Sequence, residues 1–347
     1  MNQKNNLSTT SKAPVTAVLG GGSFGTVLAN IVASNGYECR LWRRDKAEAQ
    51  DIQSSRYNKK YLPEFRLHDD LTILSDLNLA VRGADVVMIA VPSGSVREVA
   101  HSISDVIEEN SIIISGTKGI EPETELLMSE VIAQELPAHR VGVLSGPNLA
   151  KEIAEGHLTG SVVASKDSFV CDITQDLMAS ANFRIYSNTD VMGVELAGVL
   201  KNIYAILSGV AAGRGGGANT VSMMMTRGLA EMCRFASALG ANPTTFLGLA
   251  GVGDLIATCS STLSRNYQVG VHVGQGLSLS DALDKVGQTA EGVNTVKVIA
   301  KEARRLAVDM PLAFGLCEIL FEGKTLDELV MSLMSRDQKE DVEYKVA

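Results

Sequence analysis

Val15-Thr16-Ala17-Val18-Leu19-Gly20-Gly21-Gly22-Ser23-Phe24-Gly25 is the stretch that decides the fold of the first half of the chain. A short β-rich apolar run ends in glycines, and an apolar-periodic segment follows from about 24 to 35, stopped by Asn35-Gly36. Gly20-x-Gly22-x-x-Gly25 is a weak pattern in isolation. Between a strand and a helix it carries a physical meaning. Gly20 permits the tight turn, Gly22 lets the backbone approach a pyrophosphate, and Gly25 lets the helix pack on the strand. The helix N-terminus adds free N–H groups and the positive end of its dipole. A plain glycine-rich turn would need neither flank. The stretch therefore reads as a dinucleotide-binding loop.

The pattern continues outward. Further strands are predicted at 38–42, 84–91 (closed by Pro92), 111–115, 141–144 and 161–164. Helical periodicity separates them at 93–108, 123–136 and 168–180. Continuous apolar strands alternating with helices imply a parallel sheet covered on both faces. After Asp190 only helical segments follow, at 190–212, 219–240, 278–286, 291–307, 312–321 and 325–334. The expected fold is α/β: an N-terminal Rossmann-like doubly wound sheet over 14–189, then an all-helical domain over 190–340. Residues 1–13 are polar and read as a flexible tail.

Bulk properties exclude several functions. The chain has 347 residues, 45% hydrophobic and 20% charged, with a net charge of −9 and no basic tract. Nucleic acid is not expected as a partner, because phosphate-backbone binding needs clustered cations. A small phosphorylated substrate needs only a few local ones. The five cysteines form no C-x-x-C pair and fit a reducing, cytoplasmic setting. The N-terminus lacks the apolar core of a secretory signal. The greasy stretch 191–213 carries Glu195, Lys201 and Asn202, which argues against a membrane span. No metal-ligand spacing is seen. The apolar helical half makes a homodimer reasonable.

NAD-selective proteins of this kind usually carry an acid at the end of the second strand, bonded to the ribose 2′-OH. Here that place reads Trp42-Arg43-Arg44, with no acid until Asp45. Guanidinium groups suit a 2′-phosphate, so NADP(H) is favoured, with NAD(H) as an alternative or second cofactor. Otherwise the two arginines are solvated surface charges.

Some polar residues stand where they should cost energy. Residues 194–207 are apolar on nearly all sides, so Lys201 lies on a buried helix. Burial lowers a lysine's pKa and makes it a candidate general acid–base; the alternative is a structural pair with Glu195. Asp254 could tune Lys201 or cap the helix that follows it. Ser264-Arg265-Asn266 could clamp a phosphate or carboxylate, or be a polar loop. Lys118 follows a strand end, where open α/β sheets bind ligands.

In these motifs the chain resembles bacterial-type NAD(P)-dependent sn-glycerol-3-phosphate dehydrogenase. The likeness runs from about 15 to 336 and includes Leu41-Trp42, Tyr61-Leu62-Pro63, Lys118-Gly119-Ile120-Glu121-Pro122, Leu144-Ser145-Gly146-Pro147, Thr226-Arg227-Gly228, Gly251-Val252-Gly253-Asp254-Leu255 and Glu291-Gly292. The resemblance implies reversible hydride transfer between sn-glycerol 3-phosphate and dihydroxyacetone phosphate, supplying phospholipid synthesis. It also implies that Lys201 is the proton donor and acceptor, with Asp254 and Lys118 beside it. Lys118, Gly146, Asn148, Lys201, Asp254, Ser264, Arg265 and Asn266 would meet substrate. Ser23, Phe24, Arg44, Lys118, Ala150, Arg265, Thr289 and Glu291 would meet cofactor, together with Gly20, Gly22 and Gly25 of the loop.

Four positions depart from the family pattern. Phe24 replaces a usual Trp or Tyr, Thr117 a Ser, Asn148 a Ser or Thr, and Ala218 an acid. Two other readings compete. A hydroxyacid dehydrogenase of similar build would bind a carboxylate instead of a phosphate. A non-catalytic dinucleotide sensor would not need a buried lysine.

Overall fold

The computed structural model describes residues 13–337. The tail expected at 1–13 and the end of the second domain at 340 therefore fall largely outside the described residues. The strands are β1 (Thr16–Leu19), β2 (Cys39–Trp42), β3 (Tyr57–Asn58), β4 (Leu62–Arg66), β5 (Leu71–Leu74), β6 (Val86–Ile89), β7 (Ile112–Ser115), β8 (Arg140–Ser145), β9 (Thr159–Ala164) and β10 (Phe183–Asn188). The helices between them are α1 (Ser23–Ser34), α2 (Lys46–Ser55), α3 (Leu77–Val81), α4 (Val96–Ile103), α5 (Met128–Glu135), α6 (Ala150–Ala154) and α7 (Ser168–Met178). Beyond them come α8 (Val191–Gly213), α9 (Ala218–Ala238), α10 (Asp254–Ser260), α11 (Arg265–Gly274), α12 (Leu279–Val286), α13 (Glu291–Arg305), α14 (Pro311–Phe321) and α15 (Leu326–Met334).

An eight-stranded sheet in the order β10-β9-β8-β7-β6-β1-β2-β5 forms the first half. Its two faces are covered by separate apolar clusters. One gathers Val18, Leu28, Leu41, Met88 and Ile114, the other Ala17, Leu19, Val87, Ile89 and Ile113. Alternate residues of β1 thus feed opposite faces, as the period of a strand requires. Both faces being dry explains why these strands read as unbroken apolar runs.

The sheet is not wholly parallel, contrary to the sequence expectation. β8 and β9 pair antiparallel, with Val143 opposite Ala164 and Ser145 opposite Val162, while β9 and β10 are parallel to each other. The link from Ser145 to Thr159 holds only the five-residue α6. That helix rises about 7.5 Å, well short of the crossover helix that usually returns a chain along a strand of about 20 Å. The chain re-enters the sheet from the edge it has just left.

Other differences are local. The hairpin β3–β4, the short edge strand β5 and the strand β10 are not among the sequence expectations, nor are α2 and α11. The helix expected at 123–136 begins only at Met128, because residues 120–127 close on themselves through an Ile120–Leu127 bridge. Among the described residues after Asp190 there is no strand, as expected.

The helical half is organised around α8. Of its residues, Gly193 to Ala211 are all buried. It is the one described helix long and apolar enough to cross a membrane, but 89% of its apolar window is covered by the protein itself. Gly209, Gly213, Gly270 and Gly274 let α8 and α11 come together. A Cβ on Gly270 would fall 1.9 Å from the carbonyl oxygen of Ile206, and one on Gly209 would fall 2.1 Å from that of Tyr267. Backbone contact at that distance admits only glycine.

Candidate active site

The carboxyl ends of β1, β6 and β7 open onto a cleft of about 1540 Å³ that runs from the glycine loop to α8 and α11. The loop behaves as its spacing implies. Gly20 has φ +125°, and a Cβ there would lie 2.4 Å from the carbonyl oxygen of Ala90. A Cβ on Gly25 would lie 2.0 Å from the carbonyl oxygen of Gly20, so this glycine is needed for helix–strand packing. Gly22 is the N-cap of α1, and a Cβ on it would have nothing within 4 Å. The space above Gly22 and the unpaired N–H groups of α1 form the cradle that a pyrophosphate needs.

At the other end of the cleft two lysines share one carboxylate. Lys201 Nζ donates to Asp254 Oδ1 at 2.5 Å and to Thr258 Oγ1 at 2.7 Å. Lys118 Nζ donates to Asp254 Oδ2 at 2.7 Å and to the carbonyl of Gly146 at 2.8 Å. Asp254 is 1% exposed and Lys201 7%. Burial, with the ammonium of Lys118 acting in the same direction, pulls Lys201 down to about 8, against the opposing pull of Asp254. An ammonium this close to neutrality can give and take a proton under ordinary conditions.

This geometry decides between the alternatives left by the sequence. Glu195 is not the partner of Lys201. Its carboxylate accepts from the backbone N–H of Ser129 at 3.0 Å and from the Ser129 hydroxyl, and so caps α5 of the first half. Asp254 caps no helix. It is the first residue of α10, follows a π-helical turn over Leu249–Gly253, and spends both oxygens on the lysines. Thr258 lies one turn further along α10, and its hydroxyl donates to the carbonyl of Asp254 at 2.6 Å. Sequence reasoning gave Thr258 no role, although the i, i+4 spacing from Asp254 was readable.

Ser264, Arg265 and Asn266 are separated by function. Ser264 is the N-cap of α11 and accepts from the N–H of Tyr267 at 3.3 Å. Arg265 is exposed at the cleft, and no carboxylate pairs with it among the described residues. Asn266 is buried. It donates to Asn202 Oδ1 at 3.0 Å and accepts from the N–H of Gly292 at 3.0 Å, tying α11 to α8 and α13. A guanidinium beside a helix N-terminus has the charge and donors that suit a dianion.

Most of the remaining expected site residues also line the cleft: Ser23, Phe24, Arg44, Asn148, Ala150, Thr289 and Glu291. Gly25, Gly146 and Asp254 stand behind the lining. Asn148 donates to Ser161 Oγ at 3.1 Å. Glu291 accepts from the backbone N–H of Ser93 at 3.2 Å and from its hydroxyl at 2.7 Å, bridging the two halves of the chain. Ala218 begins α9 at an exposed helix N-terminus, where an acid would gain from the dipole.

Family models extend over nearly the whole of this architecture. The N-terminal model of NAD-dependent glycerol-3-phosphate dehydrogenase matches residues 15–171, and its C-terminal model matches residues 190–331. The chain belongs to this family. A glycerol-3-phosphate dehydrogenase [NAD(P)+] of Teredinibacter turnerae is 56% identical over 329 residues, covering 95% of this chain and 97% of that protein. One of Pseudomonas entomophila is 50% identical over 335 residues, covering 96% of this chain and 98% of its own. Among solved structures, the glycerol-3-phosphate dehydrogenase of Coxiella burnetii superposes with a TM-score of 0.89 at 35% identity, covering 93% of this chain and 99% of that one. As a member of this family the chain is an oxidoreductase with a Rossmann-like first half and a mostly helical second half.

Proposed function

We propose that the protein catalyses reversible hydride transfer between sn-glycerol 3-phosphate and dihydroxyacetone phosphate. The observation that carries this reading is the buried Lys201–Asp254–Lys118 group, set between the glycine-loop cradle and the unpaired Arg265. A bound nicotinamide dinucleotide supplies or accepts the hydride at substrate C2. The chain's own residues do the rest. Arg265 and the N-terminus of α11 hold the substrate phosphate, which fixes the three-carbon body against Lys201. During reduction negative charge grows on the C2 oxygen. Lys201 Nζ stabilises that charge and gives the oxygen its proton. During oxidation the neutral amine removes the proton from the hydroxyl. Asp254 keeps the ammonium in place and offsets the charge of both lysines, while Lys118 offers a second donor at the same oxygen.

The cofactor we propose is NADP(H) in preference to NAD(H), because Arg43, Arg44 and Lys60 line the adenosine end of the cleft. We assign 14–189 to cofactor binding and 190–340 to catalysis and substrate binding. The five described cysteines are all buried and unpaired, which suits a cytoplasmic enzyme that supplies glycerol 3-phosphate for phospholipids. The exposed apolar residues Val330, Met331 and Met334 of α15 suit a homodimer, to be tested by light scattering. The deciding assay is oxidation of NADPH and of NADH with dihydroxyacetone phosphate. Turnover only with a 2-keto acid would replace this reading.

A further inference from the structure

The adenosine end of the cleft holds more charge than the dipeptide Arg43-Arg44 announces, and the charge is balanced. Arg43, Arg44 and Lys60 line it. The hairpin that carries Lys60 is anchored to the glycine loop: the buried Asn58 donates to the carbonyl of Gly21 at 3.1 Å and to Thr26 Oγ1 at 2.9 Å. Against the cations stand Asp45 and Glu48 at the start of α2, and Glu98 of α4.

Glu48 does most of the balancing. Its Oε2 accepts from Arg43 Nε at 2.6 Å and also from Arg43 Nη2. Its Oε1 lies 3.5 Å from Lys60 Nζ. Arg43 has little freedom left. Its Nη1 donates to the carbonyl of Gly21 at 3.2 Å, its plane lies over Tyr61 at 5.4 Å, and its Cδ would sit 2.7 Å from a Cβ on Gly21. Arg44 is different. It is 63% exposed and 3.5 Å from an equally exposed Glu98, a contact that solvent weakens, as it weakens that of the 61% exposed Lys60 with Glu48.

We propose that Glu48 sets the cofactor selectivity of this enzyme. By forking Arg43 it withholds that guanidinium from a ribose 2′-phosphate, leaves the exposed Arg44 and Lys60 as the cations for that group, and keeps NADH usable beside NADPH. The proposal rests on the reading that this end of the cleft receives the adenosine ribose. The physical reason is that a guanidinium already forked onto a carboxylate must break that pair before it can fork onto a phosphate.

The test is the ratio of kcat/KM for NADPH to that for NADH, measured with dihydroxyacetone phosphate. Glu48→Gln should raise the ratio about tenfold, one charge-assisted hydrogen bond's worth of discrimination. Arg44→Ala should lower it by a similar factor. Lys60 is exposed, so Lys60→Ala keeps the fold. It should lower the ratio several-fold, and Glu48→Gln should still raise the ratio in the Lys60→Ala background, because the gain comes from Arg43. An unchanged or lower ratio in Glu48→Gln, with Arg44→Ala still lowering it, overturns the role of Glu48 and leaves the adenosine site standing. An Arg44→Ala variant with the wild-type ratio overturns both. Loss of the Glu48→Gln effect in the Lys60→Ala background means that the carboxylate acts on Lys60 and not on Arg43, and also overturns the proposal.

Discussion

Asp254 Oδ1 lies 2.5 Å from Lys201 Nζ, and neither residue is more than 7% exposed. The pair is held by two helices, α8 and α10, that meet nowhere near each other in sequence. Because Lys118 takes the other carboxylate oxygen, any change at Asp254 is felt by both lysines.

Lys201→Ala removes the proposed proton carrier while leaving the glycine loop intact. We expect kcat to fall by roughly 10³ or more, with the dissociation constant of the cofactor within about twofold of the wild type. Pre-steady-state kinetics and cofactor fluorescence titration read the two effects separately. Near-normal turnover would remove Lys201 from the mechanism.

The lowered pKa of Lys201, about 8, gives opposite pH profiles in the two directions. Reduction needs the ammonium, so kcat should decline as pH rises through about 8. Oxidation needs the free amine, so kcat should rise over the same interval. In Asp254→Asn the balancing carboxylate is lost, so the ammonium should be harder to keep and both limbs should move to lower pH. Profiles that stay in place in this variant would separate Asp254 from proton transfer.

Gly22 and Gly25 should behave differently despite belonging to one motif. Gly22 has ordinary extended angles and open space where a Cβ would go. Gly22→Ala should keep a melting temperature close to that of the wild type and raise the cofactor KM by roughly tenfold or more, since the methyl occupies the pyrophosphate's place. Gly25→Ala should fail to fold, because the methyl would meet the Gly20 carbonyl. Thermal denaturation beside steady-state kinetics distinguishes the two.

Tyr204 and Glu231 form a buried lock within the helical half. The tyrosine hydroxyl donates to Glu231 at 3.0 Å, and the carboxylate also accepts from the N–H groups of Leu312 and Ala313 at the start of α14. Tyr204→Phe should cost about 1 kcal/mol in chemical denaturation, the net value of one such bond. A neutral result would mean that the hydroxyl only fills space.

Burial raises both Glu231 and Glu195 to about 7. In the unfolded chain such carboxyls lose their protons near the ordinary 4.5. Between these values the native state holds more protons, so the contribution of these two groups is fully present below about pH 4.5 and declines as pH rises from about 5 to 7. Glu195→Gln, which can still meet Ser129 with an acceptor and a donor, should flatten part of that slope. An unchanged slope in this variant would mean that the helix N-terminus already keeps Glu195 charged in the native state.

Much of this was legible because the signals were local. The glycine loop, the apolar strands and the all-apolar surroundings of Lys201 each lie within a few residues of one another. What escaped depended on distance. The four residues of β5 and the two of β3 gain their structure from neighbours, and too few residues alternate to announce them. Glu195 stands six positions before Lys201, and proximity suggested a pair. The fold sends its carboxylate to a helix of the other half instead. Arg43 and Arg44 read as twins, yet one faces Glu48 and the other solvent, because successive residues leaving a strand point in opposite directions.

The reversal of β9 and β10 makes α8 a measuring rod. Because β10 ends level with the middle of β8, α8 starts at the far side of the sheet and must travel back to the ligand edge, where Gly198 meets Ser145 and Lys118. Lys201 comes after about 15 Å of helical rise. The distance is set by strand length and the direction by helical phase. One residue inserted between Asp190 and Lys201 would turn the ammonium by about 100° and aim it at the core. The chemistry is thus gauged by a count of residues, and this stretch of chain should tolerate changes of side chain far better than changes of length.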